Sequence, residues 1–426
     1  MAPITDHPQR YKLANELHAR PFPALKAPGF AVFLAVKPPK DAATSDRKIA
    51  RAHLLDLLDR FGADHPHPDA THYFGQLGKY RLKWEQHTEF VTYTMFGEDV
   101  SDRAFEPSMF DVFPEDWLRQ APGVRVTSAL FRVERLEDKT EIARKVDSWL
   151  VRESLSVSSV LDGAAVVAAD FRIDQAGHMR FAIFVSEKTG ARRIGRVVQR
   201  VCEMETYKAM SMLGFARTQN MLTRLGEIDG ELTGLVEAMS HEEVPADVTL
   251  KDLLSISAEL ENMLAKSSFR FGATGAYEAL VNQRISVLRE QRFQGRQTIA
   301  EFMLRRFNPS MRTVHSVQSR LRDMAQAATR AGELLRTRVD VERSNQNQKL
   351  LESMDRRADQ QLRLQTTVEG LSIVAISYYA VNLAAYVAYP FTGVVGMSKG
   401  QVLALLTPVV VLSMWAMVRR IRKRFH

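Results

Sequence analysis

Histidine side chains, which ligate transition metals, are concentrated near the start of this 426-residue chain. Seven of its eleven histidines precede residue 90. The densest group is His65, His67, Asp69 and His72, in the segment DHPHPDATH. Imidazoles with a carboxylate can bind zinc or another transition metal. The two prolines and the lack of a helical H-x-x-x-H spacing instead favour a solvated loop, and both interpretations stay open here.

A second candidate site is the segment NELHARPF. Its polar residues that could bind an anion or a partner are Asn15, Glu16, His18 and Arg20. The alternative is a capped N-terminal helix that docks on the following domain.

A third candidate is GARRIGR, where basic residues open a helix that follows a strand. Helix N-termini attract anions, so this segment could hold a phosphate or a headgroup. The residues are Arg192, Arg193, Arg196 and Arg200. A solvated basic helix face is the alternative interpretation.

Motifs of the common enzyme classes do not occur. The chain has no P-loop, no G-x-G-x-x-G after a strand, no G-x-S-x-G and no H-E-x-x-H. An enzyme therefore ranks third among the interpretations and rests on the histidine group. No cofactor is assigned, and a divalent cation is the one candidate.

Charge and cysteine content restrict the partners and the compartment. The formal charge is +8, and residues 419–426 supply +5 of it from five Lys and Arg side chains. Because this basicity adjoins an apolar segment, the sequence predicts no nucleic-acid partner. A lone cysteine, Cys202, excludes an internal disulfide and suits a reducing cytosol. The N-terminus lacks the apolar core of a signal peptide.

The elements that must position these residues divide into a strand-rich half and a helical half. We predict an α+β protein with an α/β cytosolic domain over residues 1–190, from strand patterns at 29–36, 124–134, 164–173 and 178–187 and a hairpin at KYRLKWEQ and TEFVTYTMF. A helical domain over 191–308 follows. From Pro309 the apolar residues recur with heptad spacing, which predicts a stalk helix over 309–368.

Two apolar segments close the chain. Leu371–Tyr389 is uncharged over 19 residues, about 28 Å as a helix and close to the hydrocarbon thickness of a bilayer. We predict transmembrane helices at 369–390 and 402–418, an external loop at 391–401 and a basic cytosolic tail at 419–426. Flanking Arg and Lys place both termini in the cytosol, so we expect a multi-pass protein of the bacterial inner membrane. A buried helical hairpin in a soluble core is the alternative.

A polar seam runs along one face of the first apolar segment. It consists of Ser372, Tyr379, Asn382, Tyr386 and Tyr389. Inside a bilayer such a seam faces either a helix partner or a water path.

The segments NELHARPF, RFGATGAY, SMDRRADQQLRLQTTVEGLS and VAISYY resemble a family of uncharacterised bacterial membrane-anchored proteins with a domain-of-unknown-function label. The resemblance covers essentially the whole chain. It implies a membrane location and transfers no activity.

The order of elements is also similar to that of CorA-type divalent-cation channels. Those channels place an α/β domain, long helices and a stalk before two membrane helices, with Gly-Met-Asn in the loop. The comparable residues here are Gly396, Met397 and Ser398, so the asparagine is absent.

Two functions follow. The first is a homo-oligomeric, CorA-like cation channel or transporter whose first membrane helix lines the path. The alternative is a membrane-anchored cytosolic scaffold or regulator without transport activity. Both name the lipid bilayer as a partner, and the first requires a homo-oligomer.

Overall fold

Nine β-strands form one mixed sheet in the N-terminal part of this computed structural model. The structure describes residues 4–16, 22–39, 47–239, 245–391 and 397–425. The chain divides into two units, Met1–Gly332 and Glu333–His426. The strands are β1 (Gly29–Lys37), β2 (His72–Leu77), β3 (Tyr80–Gln86), β4 (Val91–Glu98), β5 (Val124–Arg135), β6 (Ser156–Val160), β7 (Ala165–Ala169), β8 (Met179–Val185) and β9 (Gln291–Arg292).

The sheet has the strand order β2-β3-β4-β1-β5-β8-β7-β6-β9. All neighbouring strands pair antiparallel except β5 and β8, which are parallel. The predicted hairpin is confirmed as β3 and β4, with Arg81 opposite Phe96 and Gln86 opposite Val91. The predicted mixed α+β class is likewise confirmed.

Eight α-helices are described in these ranges. They are α1 (Arg10–Glu16), α2 (Arg47–Arg60), α3 (Glu115–Arg119), α4 (Lys139–Trp149), α5 (Ala191–Ala238), α6 (Ala246–Ser286), α7 (Ile299–Ala388) and α8 (Lys399–Phe425). Helix α4 begins where the Asp138 side chain accepts hydrogen bonds from the amides of Thr140 and Glu141.

One face of the sheet packs on α2, α3 and α4. Trp84, Tyr93 and Trp117 are fully buried in this core. His53 lies between them, with its Nε2 3.0 Å from the Trp117 carbonyl and its Nδ1 2.9 Å from the Tyr93 hydroxyl. A carbonyl only accepts, so Nε2 carries the proton and Nδ1 accepts from Tyr93. Burial lowers the pKa of His53, which keeps the ring neutral.

Helices α5 and α6 pack closely against each other. The apolar residues of α5 that recur every three or four positions, such as Ile194, Val198 and Leu225, are buried as their spacing predicted. A Cβ on Gly214 would lie 2.1 Å from the Thr274 hydroxyl oxygen, so the two helices approach too closely for any side chain there.

The helix predicted to open at Pro309 begins earlier, at Ile299, and continues through that proline. Its start is a capping box, because the Glu301 amide donates to the Thr298 hydroxyl (3.1 Å) and the Thr298 amide donates to Glu301 (3.0 Å). Ser158 accepts from the Ile299 amide at 3.0 Å. These partners satisfy the amides of the first turn, which fixes the helix start ahead of the proline.

Apolar residues at the predicted heptad positions of α7 are buried within the first unit. They are Val314, Val317, Leu321, Met324, Ala328 and Ala331. Strand β9 lies between α6 and α7 in the chain and pairs with β6. The region 191–308, which was predicted to be helical, therefore also contributes the last strand of the sheet.

Candidate functional site: an apolar helix pair and an arginine-lined cavity

Among the described residues, two helices are long and apolar enough to cross a membrane. They are Ile299–Ala388, by its C-terminal part, and Lys399–Arg420. Their most apolar windows are only 11% and 0% buried. Large apolar side chains on both helices are therefore exposed, such as Leu371 (75%), Leu383 (66%) and Leu405 (67%). Such an extended apolar surface is unusual on a protein that is surrounded by water alone.

Exposure varies around each of these two helices. On α7, Ser377 and Ala385 are buried. On α8, half-buried residues recur at every fourth position, at Leu406, Val410 and Met414. Residues spaced by four lie on one face, so each helix has one covered stripe and an exposed remainder. Ser377 belongs to this stripe. It was not singled out from the sequence, because nothing in the sequence distinguishes it from other serines in apolar segments.

Three of the five residues of the predicted seam lie away from the covered stripe. Tyr379 and Tyr386 are 68% and 72% exposed, and Ser372 is exposed as well. The Asn382 side-chain amide donates to the Tyr378 carbonyl at 3.1 Å within the same helix. Tyr386 and Tyr389 rings meet edge to face at 6.4 Å. The three exposed residues thus lie on a different face of α7 from the stripe, whereas Asn382 and Tyr389 are half-buried.

Two of the three loop residues compared with the CorA motif, Met397 and Ser398, directly precede α8. Gly396 is outside the described residues, and Met397 is half-buried. Ser398 caps the helix, since its amide donates to the Gln401 side chain (3.0 Å) and its carbonyl accepts from the Gln401 amide (3.0 Å). The S-x-x-Q spacing therefore has a helix-capping role.

The predicted histidine group lies on the loop after α2 and at the first residue of β2. His65 Nε2 is 2.6 Å from the Asp59 carboxylate, and the Asp69 amide donates to His67 at 3.4 Å. His72 lies opposite Glu85 in the register of strands β2 and β3. Within the described part of the chain, no three His, Cys, Asp or Glu residues form a group that could hold a metal ion.

The NELHARPF segment ends beside the N-terminus of α5. Asn15 and Glu16 close α1, and His18 and Arg20 lie outside the described residues. Phe22 follows, and the Arg196 guanidinium lies 4.9 Å from the centre of its ring. A Cβ on Gly195 would lie 1.7 Å from the Pro23 carbonyl oxygen, so only glycine lets this segment cross α5. Two segments that were predicted separately as anion sites therefore meet.

An open cavity of about 1050 Å³ lies at this junction. Five arginines from two chain segments line it, and the described lining residues include no acidic one. The arginines are Arg192, Arg193, Arg196, Arg200 and Arg289. Arg289, on the turn after α6, was missed because only the folded chain brings it to α5.

Three of the five guanidiniums are held in place by neighbouring groups. Arg193 donates to the Leu161 carbonyl (3.0 Å), Arg200 donates to the Val287 carbonyl (2.9 Å), and Arg289 pairs with Asp162 (2.6 Å). Burial, and the positive charge of Arg196 next to it, lower the pKa of Arg200. The cavity therefore concentrates positive charge that its own protein groups only partly neutralise.

A buried ionic cluster, which sequence analysis missed, joins α6 to the turn between β3 and β4. The Arg270 guanidinium is 2.5 Å from the Glu89 carboxylate, and both side chains are almost fully buried. The Tyr277 hydroxyl donates to Glu89 at 3.0 Å. Burial and the Glu89 charge raise the pKa of Tyr277, so its hydroxyl stays protonated and remains a donor. Arg270 and Tyr277 are the first and last residues of RFGATGAY, which gives that segment a structural role.

The fold and the apolar helices define a class: a mixed α+β protein with a nine-stranded sheet, a long helical region and two C-terminal helices that could span a membrane. The chain belongs to the DUF3422 family, described as "protein of unknown function", whose profile matches residues 5–425. This confirms the resemblance to a family with a domain-of-unknown-function label. A search of curated proteins finds no match, and the likeness to CorA-type channels stays a prediction from element order.

Proposed function

We propose that this protein is an integral membrane protein of the bacterial inner membrane whose two apolar helices insert as a hairpin and anchor the α+β unit in the cytosol. In this role it acts as a scaffold or regulator at the membrane surface. The observation that carries the proposal is the exposure of both apolar helices, since a core helix of a soluble protein would be mostly buried.

Aromatic and basic side chains at the ends of the hairpin support the same proposal. Arg419 lies 4.9 Å from the Trp415 ring, and Lys399 lies 5.5 Å from the Tyr389 ring. Trp and Tyr with Lys and Arg are typical of the two interfaces of a bilayer. The basic residues at the C-terminal end of α8 and the arginines before residue 371 favour both termini on the cytosolic side.

Alkaline carbonate extraction of membranes from cells that express the full chain tests the anchor. The wild-type protein should stay in the pellet. The double variant Ala380→Arg, Leu383→Arg should be released, because each charge near the centre of a membrane helix costs about 2.5–3.5 kcal/mol. The matched control Leu304→Arg changes a residue of the same helix that lies outside the apolar segment and should stay in the pellet. Release of the wild type would contradict the proposal.

A homo-oligomeric cation channel is the second candidate function. The observation that favours it is the seam, where Tyr379 and Tyr386 are exposed on α7, away from the covered stripe. Polar groups in hydrocarbon require a partner, and a second copy of the seam would supply both donors and acceptors. Exposed apolar residues of α7 before the membrane segment, such as Leu351 and Met354, also offer a surface for self-association.

Flux of Mg²⁺ into liposomes, together with the mass of the detergent-solubilised particle, tests the channel. A channel should form an oligomer and conduct, and Asn382→Leu should change the conductance. A monomer without flux would rule out the channel and leave the anchor proposal intact.

A further inference from the structure

We propose that the arginine-lined cavity at the start of α5 binds a ligand that carries two or more phosphate groups. This site is separate from the membrane hairpin, so the proposal does not depend on the function proposed above. It rests on the convergence of five guanidiniums on one cavity, on the groups that orient them, and on the charge that they leave unneutralised.

The charge of the cavity selects an anion. Of its five arginines, Arg289 alone pairs with a carboxylate among the described residues, that of Asp162. The guanidiniums of Arg192 and Arg196 have no hydrogen-bond or ion-pair partner in the ranges that the structure describes. Guanidinium groups offer paired N–H donors that match the oxygens of phosphate, and clustered like charges are relieved when an anion binds.

The number of arginines favours more than one phosphate group. A single carboxylate or phosphate is satisfied by one or two guanidiniums in bidentate contact. Here Arg193 and Arg200 are fixed by carbonyl groups that hold their side chains at the cavity wall, at 3.0 Å and 2.9 Å. Together with Arg192, Arg196 and Arg289 they present several anion-binding forks around one space of about 1050 Å³, which is the size range of a small-molecule site.

The backbone around the cavity adds to this field. Helix α5 is 48 residues long, and its N-cap, Gly190, provides no capping side chain. The Arg193 amide donates to the Gly190 carbonyl at 2.9 Å, so the amides of Ala191 and Arg192 and the positive end of the helix dipole are what the helix adds beside the arginines. A Cβ on Gly190 would meet no atom within 4 Å, so space remains for a ligand there.

Phe22 places an aromatic ring next to one arginine of the site. Its ring lies under the Arg196 guanidinium and is 39% exposed. A phosphorylated metabolite with a ring and a lipid with a phosphate headgroup share this chemistry, and the two sources are separated by experiment.

The test is calorimetric titration of the full-length protein in detergent, with inorganic pyrophosphate in one arm and water-soluble dihexanoyl phosphatidylinositol 4-phosphate, which carries two phosphate groups, in the other. Binding should weaken as ionic strength rises. The double variant Arg192→Gln, Arg196→Gln should bind at least about tenfold more weakly, since it loses the charge-assisted hydrogen bonds of two guanidiniums. These side chains are exposed, so the variant should fold, and its melting curve checks this.

Matched controls make the result decisive. Arg312→Gln removes an exposed arginine outside the cavity and should leave binding unchanged. Arg192→Lys with Arg196→Lys should bind at an intermediate level, because lysine keeps the charge and loses the fork. Preference for pyrophosphate indicates a soluble ligand, and preference for the lipid indicates a headgroup. Binding of neither probe, or equal binding by wild type and the glutamine variant, would overturn the proposal.

Discussion

At the residue scale, Arg270 is a costly group to disturb. Its charge is buried against Glu89, and the Tyr277 hydroxyl completes the arrangement. Removing one partner of a buried ion pair leaves an uncompensated charge in a medium that solvates it poorly. The pair therefore holds α6 to the β3–β4 turn mainly because leaving one buried charge without its partner is costly. The net attraction between the two charges contributes less.

We predict that Arg270→Met lowers the free energy of unfolding by about 3–5 kcal/mol. Urea unfolding of the full-length protein, followed by tryptophan fluorescence, measures the change. The double variant Arg270→Met, Glu89→Gln should recover part of the loss, because no charge is then left unpaired. Arg119→Met is the control: it breaks an exposed pair with Glu115 and should change stability by less than about 1 kcal/mol. Equal effects of the two single variants would refute this account of Arg270.

A second residue-scale prediction concerns Glu290, which accepts a hydrogen bond from the Ala300 amide at the start of α7 (2.9 Å). Burial raises the pKa of Glu290 to about 7 in the folded protein, from 4.5 in its unperturbed state. The folded state therefore holds the proton more tightly. Its stabilising contribution is full below about pH 4.5 and is lost as the pH rises through about 7.

Between pH 5 and pH 8, the wild type should lose about 2.5 kcal/mol of unfolding free energy through this group, at about 1.36 kcal/mol per pKa unit. Glu290→Gln should remove that part of the pH dependence. The comparison is urea unfolding of both proteins at each pH, with the exposed Glu115→Gln as a control. A pH profile of Glu290→Gln that matches the wild type would show that Glu290 does not titrate in this range.

At the scale of elements, two glycines of α5 are a matched pair. Both lie inside a helix, where glycine costs about 1 kcal/mol relative to alanine. A Cβ on Gly226 would meet no atom within 4 Å, whereas a Cβ on Gly214 would lie 2.1 Å from the Thr274 hydroxyl oxygen. The same substitution should therefore have opposite signs at the two positions.

Gly226→Ala should raise the free energy of unfolding by up to about 1 kcal/mol. Gly214→Ala should lower it by about 1–3 kcal/mol, because the added methyl group forces α5 and α6 apart. Thermal melts of the two variants beside the wild type are sufficient to measure this. If Gly214→Ala proved stabilising, the close approach of the two helices would be incorrect.

Much of the architecture follows from local sequence patterns. The alternation and composition of 29–36 and of the β3–β4 hairpin predicted strands that the structure contains, and the 3–4 spacing after Ala191 predicted α5. Strand β6, SVSSV, carries too few large apolar residues to be recognised, and β9 is only two residues long. The start of α7 was recoverable in principle, since Thr298 and Glu301 form the T-x-x-E spacing of a capping box.

Much less of the candidate sites was predictable, because their residues are distant in sequence. Arg192, Arg193 and Arg196 were identified from their position at a helix start. Arg289 joins them only because the turn after α6 lies beside Leu161 and Asp162. Likewise, Glu89 and Arg270 are separated by 181 positions and carry no local signal of their pairing. Such sites are formed by tertiary contacts. These contacts leave no periodic pattern in a single sequence from which the sites could be predicted.

At the scale of the whole molecule, the two proposed activities belong to different units. The first unit, Met1–Gly332, contains the sheet, the buried ionic cluster and the cavity for which we propose phosphate binding. The second unit, Glu333–His426, contains the exposed apolar helices for which we propose membrane insertion. Each proposal has its own test, so the failure of one leaves the other standing.

The central claim is that the two apolar helices enter a bilayer, and the depth of single labelled positions tests it most directly. The lone cysteine, Cys202, is replaced by alanine, and an environment-sensitive fluorophore is attached to Val374→Cys, Leu405→Cys or Leu304→Cys in the full-length protein reconstituted in liposomes. We predict blue-shifted emission at 374 and 405 that is quenched by lipids brominated on their acyl chains, with neither effect at 304. Water-like emission without quenching at 374 and 405 would contradict membrane insertion.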